Sequence, residues 1–260
     1  MKKKIHHARK HISSKKTEIA TLSIVIIIIS ALFIVSILRD KVVAKVLAQT
    51  KSDTLVKIIY FDRLSDPNLH FALGNYYFGD GERYDLYKAE NYYKKALLLD
   101  EKLPLANYQL ARVYFVSGDQ TRALEYINKE LEYHPDFKRS YYIRGLIYGY
   151  SGQLGLAVAD FKSFLEWKPD SWAGHNDLAW IYFQQGNFED AFITASDGLR
   201  YSPGNPWLLN SVGISLKNLG QIDLARSAFE SALVGSTRLS PTDWGKAYPG
   251  NDPGFYQKGY

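Results

Sequence analysis

Residues 138–171, KRSYYIRGLIYGYSGQLGLAVADFKSFLEWKPDS, and residues 172–205, WAGHNDLAWIYFQQGNFEDAFITASDGLRYSPGN, lie over one another without a gap. Gly145 falls on Ala179, Tyr148 on Tyr182, Gly152 on Gly186, Ala157 on Ala191 and Pro169 on Pro203. The same 34-residue shift runs unbroken from residue 104 to 234. It brings in Ala111 and Gly213, Tyr114 and Leu216, Gly118 and Gly220, Ala123 and Ala225, and a column of Ile127, Phe161, Ala195 and Phe229. An earlier copy with Leu73, Gly74, Tyr77, Gly81, Ala89, Tyr93 and Ala96 carries three extra residues within 82–88. A fixed period of this size marks a solenoid built from one supersecondary unit.

Within each unit, two amphipathic stretches of about a dozen residues flank the glycine column. Glycine supplies the left-handed turn that ends a helix, so each unit reads as a helical hairpin. Small residues at 74, 111, 145, 179 and 213, and at 89, 123, 157, 191 and 225, let two helix backbones approach closely, and the Tyr and Phe columns fill the space around them. Pro67, Pro104 and Pro206 suit the first turn of a helix. Asp66 and Ser171 are expected caps.

These residues resemble the tetratricopeptide repeat, in five copies at about 67–103, 104–137, 138–171, 172–205 and 206–236. The pattern departs at Ala195 and Gly198, where bulk is usual, and in the last copy, which lacks its terminal proline. The resemblance implies an all-α, right-handed superhelical solenoid of five hairpins over residues 67–236, whose first helices line a concave groove. Carried over position by position, the groove-facing residues are Asn68, Phe71, Asn75 and Phe78; Leu105, Tyr108, Arg112 and Phe115; Arg139, Tyr142, Leu146 and Tyr150; Asn176, Trp180 and Phe183; and Trp207, Asn210, Ile214 and Lys217. Aromatic rings bury apolar side chains, and an Asn amide can both donate to and accept from a backbone, so this set suits a protein or peptide partner. Arg112, Arg139 and Lys217 are too scattered to form the dense carboxylate clamp known in the family.

Charge and hydropathy divide the rest of the chain. Residues 1–17 hold seven Lys and Arg and no acid, and the remaining residues carry 25 Lys and Arg against 27 Asp and Glu. A repeat domain this close to neutral has no basic face for nucleic acid. Ile19–Leu38 is a run of twenty uncharged residues, long enough as a helix to cross about 30 Å of hydrocarbon. Residues 18–39 are therefore expected to be a transmembrane signal anchor that meets the lipid bilayer, since the charged run after them offers no cleavage site. The basic arm is expected to be cytoplasmic and the repeats extracytoplasmic. Residues 40–66 read as a helical connector that either packs on the first repeat or lies at the membrane surface.

The chain has no cysteine and no phosphate-cradling glycine loop, HExxH or GxSxG pattern, so neither an enzyme nor a cofactor or metal site is expected. His70 and His175 occupy equivalent places and read as packing residues. Glu90, Asp160, Glu189 and Asp190 read as solvated helix faces. The tail, 237–260, holds three prolines and five aromatics, and is expected to dock on the last repeat, in the groove or on a partner chain. The expectation is a membrane-anchored scaffold in a cell-envelope assembly. The alternatives are an envelope glycan-binding protein or a non-catalytic accessory subunit of a membrane enzyme complex.

Overall fold

The computed structural model describes residues 65–79 and 84–238. The predicted basic arm and transmembrane segment lie outside the described residues, as do almost all of the connector and the tail. None of the described helices is long and apolar enough to cross a membrane.

The described residues form ten α-helices and no strand: α1 (Pro67–Phe78), α2 (Leu86–Leu99), α3 (Ala106–Val116), α4 (Gln120–Tyr133), α5 (Arg139–Tyr150), α6 (Leu154–Trp167), α7 (Trp172–Gln184), α8 (Phe188–Tyr201), α9 (Pro206–Asn218) and α10 (Ile222–Ser236). Each odd-numbered helix packs on the helix that follows it to make a hairpin, and each hairpin packs on the next. The first helices also touch in succession, α3 on α5, α5 on α7 and α7 on α9, so they form one continuous face. The result is an all-α solenoid in which contacts run between neighbouring repeats.

One local device makes four of the five hairpins alike. Gly118, Gly152, Gly186 and Gly220 have φ of +82°, +75°, +78° and +77°, the left-handed conformation that a Cβ disfavours. The amide after each glycine reaches back five residues: Asp119 N donates to Tyr114 O at 2.8 Å, Gln153 N to Tyr148 O at 2.8 Å, Asn187 N to Tyr182 O at 2.9 Å and Gln221 N to Leu216 O at 2.9 Å. This is the Schellman closure, which satisfies carbonyls left over at a helix end.

Hairpin packing follows a size rule between two columns. Where the first helix has glycine, its partner is a large ring: a Cβ on Gly74 would sit 2.4 Å from Tyr93, one on Gly145 3.2 Å from Phe161, and one on Gly213 2.6 Å from Phe229. Where the first helix has Ala111 or Ala179, the partner column has the smaller Ile127 or Ala195, and all four are buried. Gly198 follows the same logic, since a Cβ there would lie 2.8 Å from both His175 and Leu208. Ala195 and Gly198 are thus close-approach points.

Helix starts are held in three ways. Asp66 accepts from Asn68 N, and Ser171 from Gly174 N, as expected of caps. Pro67 and Pro206 open their helices. Pro104 does not, because α3 begins at Ala106 after Leu105 takes up φ +70°. With no cap of its own, α3 is held from the neighbouring helix: buried Glu130 of α4 accepts from Leu105 N at 2.9 Å and from Tyr108 N at 3.2 Å. Burial raises the Glu130 carboxyl above its ordinary range, opposed by those backbone donors.

Two acids expected on solvated helix faces are instead engaged within the fold. Asp160 is buried, and receives both Arg144 Nε at 2.7 Å and Nη2 at 2.8 Å; Arg144 also donates to Asn128 at 3.1 Å, tying α4, α5 and α6 together. Glu90 accepts from the Tyr114 hydroxyl at 2.7 Å and from Lys94 at 2.6 Å. His70 and His175 stack on Tyr92 and Tyr201 of their own hairpins. At the far end, Ile222, Leu224, Leu233 and Val234 of α10 are all more than half exposed.

Candidate functional site

The face formed by the first helices has two halves. In the N-terminal half most of the expected groove residues are spent on one another. Asn75 accepts from the Tyr93 hydroxyl and from Gln109 Nε2, both at 2.8 Å, and Arg112 donates to Gln109 Oε1 at 2.7 Å. The Arg112 guanidinium lies 4.8 Å from the Phe78 ring and 5.9 Å from that of Tyr108, and is only 3% exposed. Tyr108 is fully buried, edge-on to Phe137 at 5.2 Å. Phe115 is buried against Tyr150 at 5.3 Å, and Phe71 leans on Tyr93 at 5.7 Å. Asn68 is exposed at the first turn of α1, and Arg139 is half-buried at the start of α5.

Tyr142 marks the change between the halves. Its ring is buried against Phe161 and Phe164, at 5.8 and 5.0 Å, while its hydroxyl donates to Asp177 Oδ2 at 2.7 Å. Beyond it, α5, α7 and α9 enclose a cavity of about 350 Å³. Leu146 and Tyr150 form one wall, Trp180 and Phe183 a second, and Trp207, Asn210 and Ile214 a third. Tyr150 and Trp180 lie 5.1 Å apart, and Trp207 stacks on Trp172 at 5.0 Å. Asn176 accepts from the Ser211 hydroxyl at 2.9 Å and donates to Asp177 Oδ1 at 3.2 Å. Lys217 stands away from this cavity, beside the exposed face of α10.

Five lining residues lie outside the groove set expected from the sequence, Ala179, Gln184, Ser215 and the two that matter most here, Asp177 and Ser211. Both occupy the column of Gln109 and of the buried core residue Ile143, so the available signal was a polar residue in a partly apolar column. Burial pushes the Asp177 carboxyl up to about 6, against the opposing effect of its hydrogen bonds from Tyr142 and Asn176. Among the described residues no group of three or more His, Cys, Asp or Glu is placed to hold a metal ion. The cavity offers ring faces, amides and one carboxylate, a set that binds side chains and backbone.

Residues 142–206, which include most of this cavity's lining, match the family model for the tetratricopeptide repeat. The TPR repeat-containing protein YpiA of Bacillus subtilis is 26% identical over 179 residues, covering 65% of this chain and 40% of that protein. The human protein O-mannosyl-transferase TMTC3 is 23% identical over 185 residues, 71% of this chain but 19% of the enzyme. The chain thus spans two fifths or less of the curated relatives it matches. Among solved structures, MamA from Desulfovibrio magneticus RS-1 superposes with a TM-score of 0.61 at 16% identity, covering 67% of this chain and 97% of that one. YrrB, described as a TPR protein with an unusual peptide-binding site, gives a TM-score of 0.57 at 17% identity over 70% of this chain and 93% of its own. At these identities the tetratricopeptide likeness is one of fold.

Proposed function

We propose that this chain is a membrane-anchored, non-catalytic scaffold whose tetratricopeptide repeats hold a segment of a partner protein within a cell-envelope assembly. The observation that carries the binding role is the open, ring-walled cavity between α5, α7 and α9, on a fold that binds protein or peptide partners. The anchor rests on the uncharged run Ile19–Leu38, and the orientation, basic arm inside and repeats outside, on the seven positive charges before it. Confining the groove to the plane of a membrane raises the local concentration of whatever it captures.

A crosslinking pull-down from native membranes tests the binding role. The intact chain is compared with a variant carrying Trp180→Ala and Trp207→Ala, after circular dichroism shows that the variant is helical. Capture of a partner by the intact chain and its loss in the variant supports the reading, and undiminished capture refutes it. Protease accessibility of the repeats in sealed vesicles checks the orientation.

A further inference from the structure

The two halves of the face differ in charge as well as in openness. In the closed half, a cation from the chain itself, Arg112, lies over the rings of Phe78 and Tyr108. In the 34-residue register the Arg112 column continues through Leu146, Trp180 and Ile214, so the open half has one ring and two aliphatic side chains where the closed half has its cation. The cavity lining contains one carboxylate, Asp177, and no Lys or Arg. Among the described residues, Asp177 receives hydrogen bonds only from neutral donors, the Tyr142 hydroxyl and the Asn176 amide, and no cation pairs with it.

We propose that this cavity takes the lysine or arginine side chain of a partner protein's extended segment, with Asp177 as counter-ion and Trp180 and Trp207 as its ring walls. The inference rests on the binding role proposed above and specifies its ligand. A cation is attracted to a ring face within about 6 Å, and long basic side chains lay an apolar stem along apolar surface while the head reaches a charge. Leu146 and Ile214 supply that apolar surface. An acidic side chain would meet Asp177 as a like charge, and a purely apolar one would strip water from the carboxylate without replacing it. The cavity volume of about 350 Å³ is at the small end of ligand pockets, suited to one side chain with its flanking backbone.

The carboxyl, near 6, also sets a pH dependence. Tyr142 and Tyr150 are the titratable groups that α5 presents to it, and the other lining side chains from α7 and α9 are neutral. Cation binding therefore weakens as the pH falls through about 6.

The test titrates the full chain with four blocked decapeptides that differ at one central position, Lys, Arg, norleucine or Glu, followed by tryptophan fluorescence. The expected result is that Lys and Arg bind at least about tenfold more tightly than norleucine, and Glu the weakest. Asp177→Asn should erase the advantage of Lys over norleucine by weakening Lys binding about tenfold and leaving norleucine binding no weaker. Equal affinity for Lys and norleucine, with both lost in Trp180→Ala, overturns the cation preference but leaves the groove's binding role standing. Failure of all four peptides, or a photo-crosslinker at Asn210 that joins the cavity to residues 239–260 or to a second copy, overturns the proposal.

Discussion

From α1 to α5 the face of first helices closes on itself, and from α5 to α9 it stays open, although the side chains come from the same repeat positions. Tyr108 and Asn210 share one column, Arg112 and Trp180 another. In the closed half, Gln109 and Arg112 reach the preceding helix and consume Asn75 and Phe78. In the open half the shorter Asp177 and Ser211 stand in the Gln109 column and also bond the preceding first helix, at the Tyr142 hydroxyl and at Asn176, while Leu146, Trp180 and Ile214 stand where Arg112 does. Repeat position sets which residues share this face, and the side chains in the Gln109 and Arg112 columns set how each half of it is filled.

The largest expected effect lies in the closed half. Tyr108→Ala removes a fully buried ring and should lower stability by about 3 kcal/mol, measured by chemical denaturation. The same measurement on Trp180→Ala should show a smaller loss, because that ring is partly exposed. Equal losses would break the distinction between the halves. Next in size is Glu130→Ala, which strands the amides of Leu105 and Tyr108 at the start of α3 and should cost about 2 kcal/mol. Glu130→Gln keeps one acceptor and should cost about half as much.

A smaller effect comes from pH. The folded-state Asp177 carboxyl is raised to about 6 from an ordinary value near 3.8, so between these pH values the folded chain holds more protons than the unfolded one. Stability should therefore fall as the pH rises from about 4 to 6 and level off above that. Glu130 is shifted in the same direction and contributes a slope of the same sign. Asp177→Asn should remove its own share, seen as a shallower dependence of melting temperature on pH. The smallest effect is at Asn210, exposed on the cavity rim, where Asn210→Ala should change stability by less than about 0.5 kcal/mol while weakening partner capture.

The hairpins were legible because their signals are local and recur: the glycine column shows up as left-handed turns, and the paired small and large columns as helix contacts. Ala195 and Gly198 read as departures because their meaning is pairwise, set by Ala179, His175 and Leu208 across the interface. The same limit applies to the site. A column identifies which side chains share a face, but burial of Tyr108 depends on Phe137 from the α4–α5 connection and that of Tyr142 on Phe161 and Phe164 from α6. Asp177 was missed because its column is core at Ile143 and polar one repeat later.

The most direct test of the central claim, that partner binding belongs to the open half, is photo-crosslinking in native membranes from a benzophenone side chain placed at Asn210 or, in a separate chain, at Asn68. Both positions are exposed, one in each half. Binding in the open half predicts that a partner is captured from position 210 and not from position 68. Capture from 68 alone, or equally from both, would contradict it.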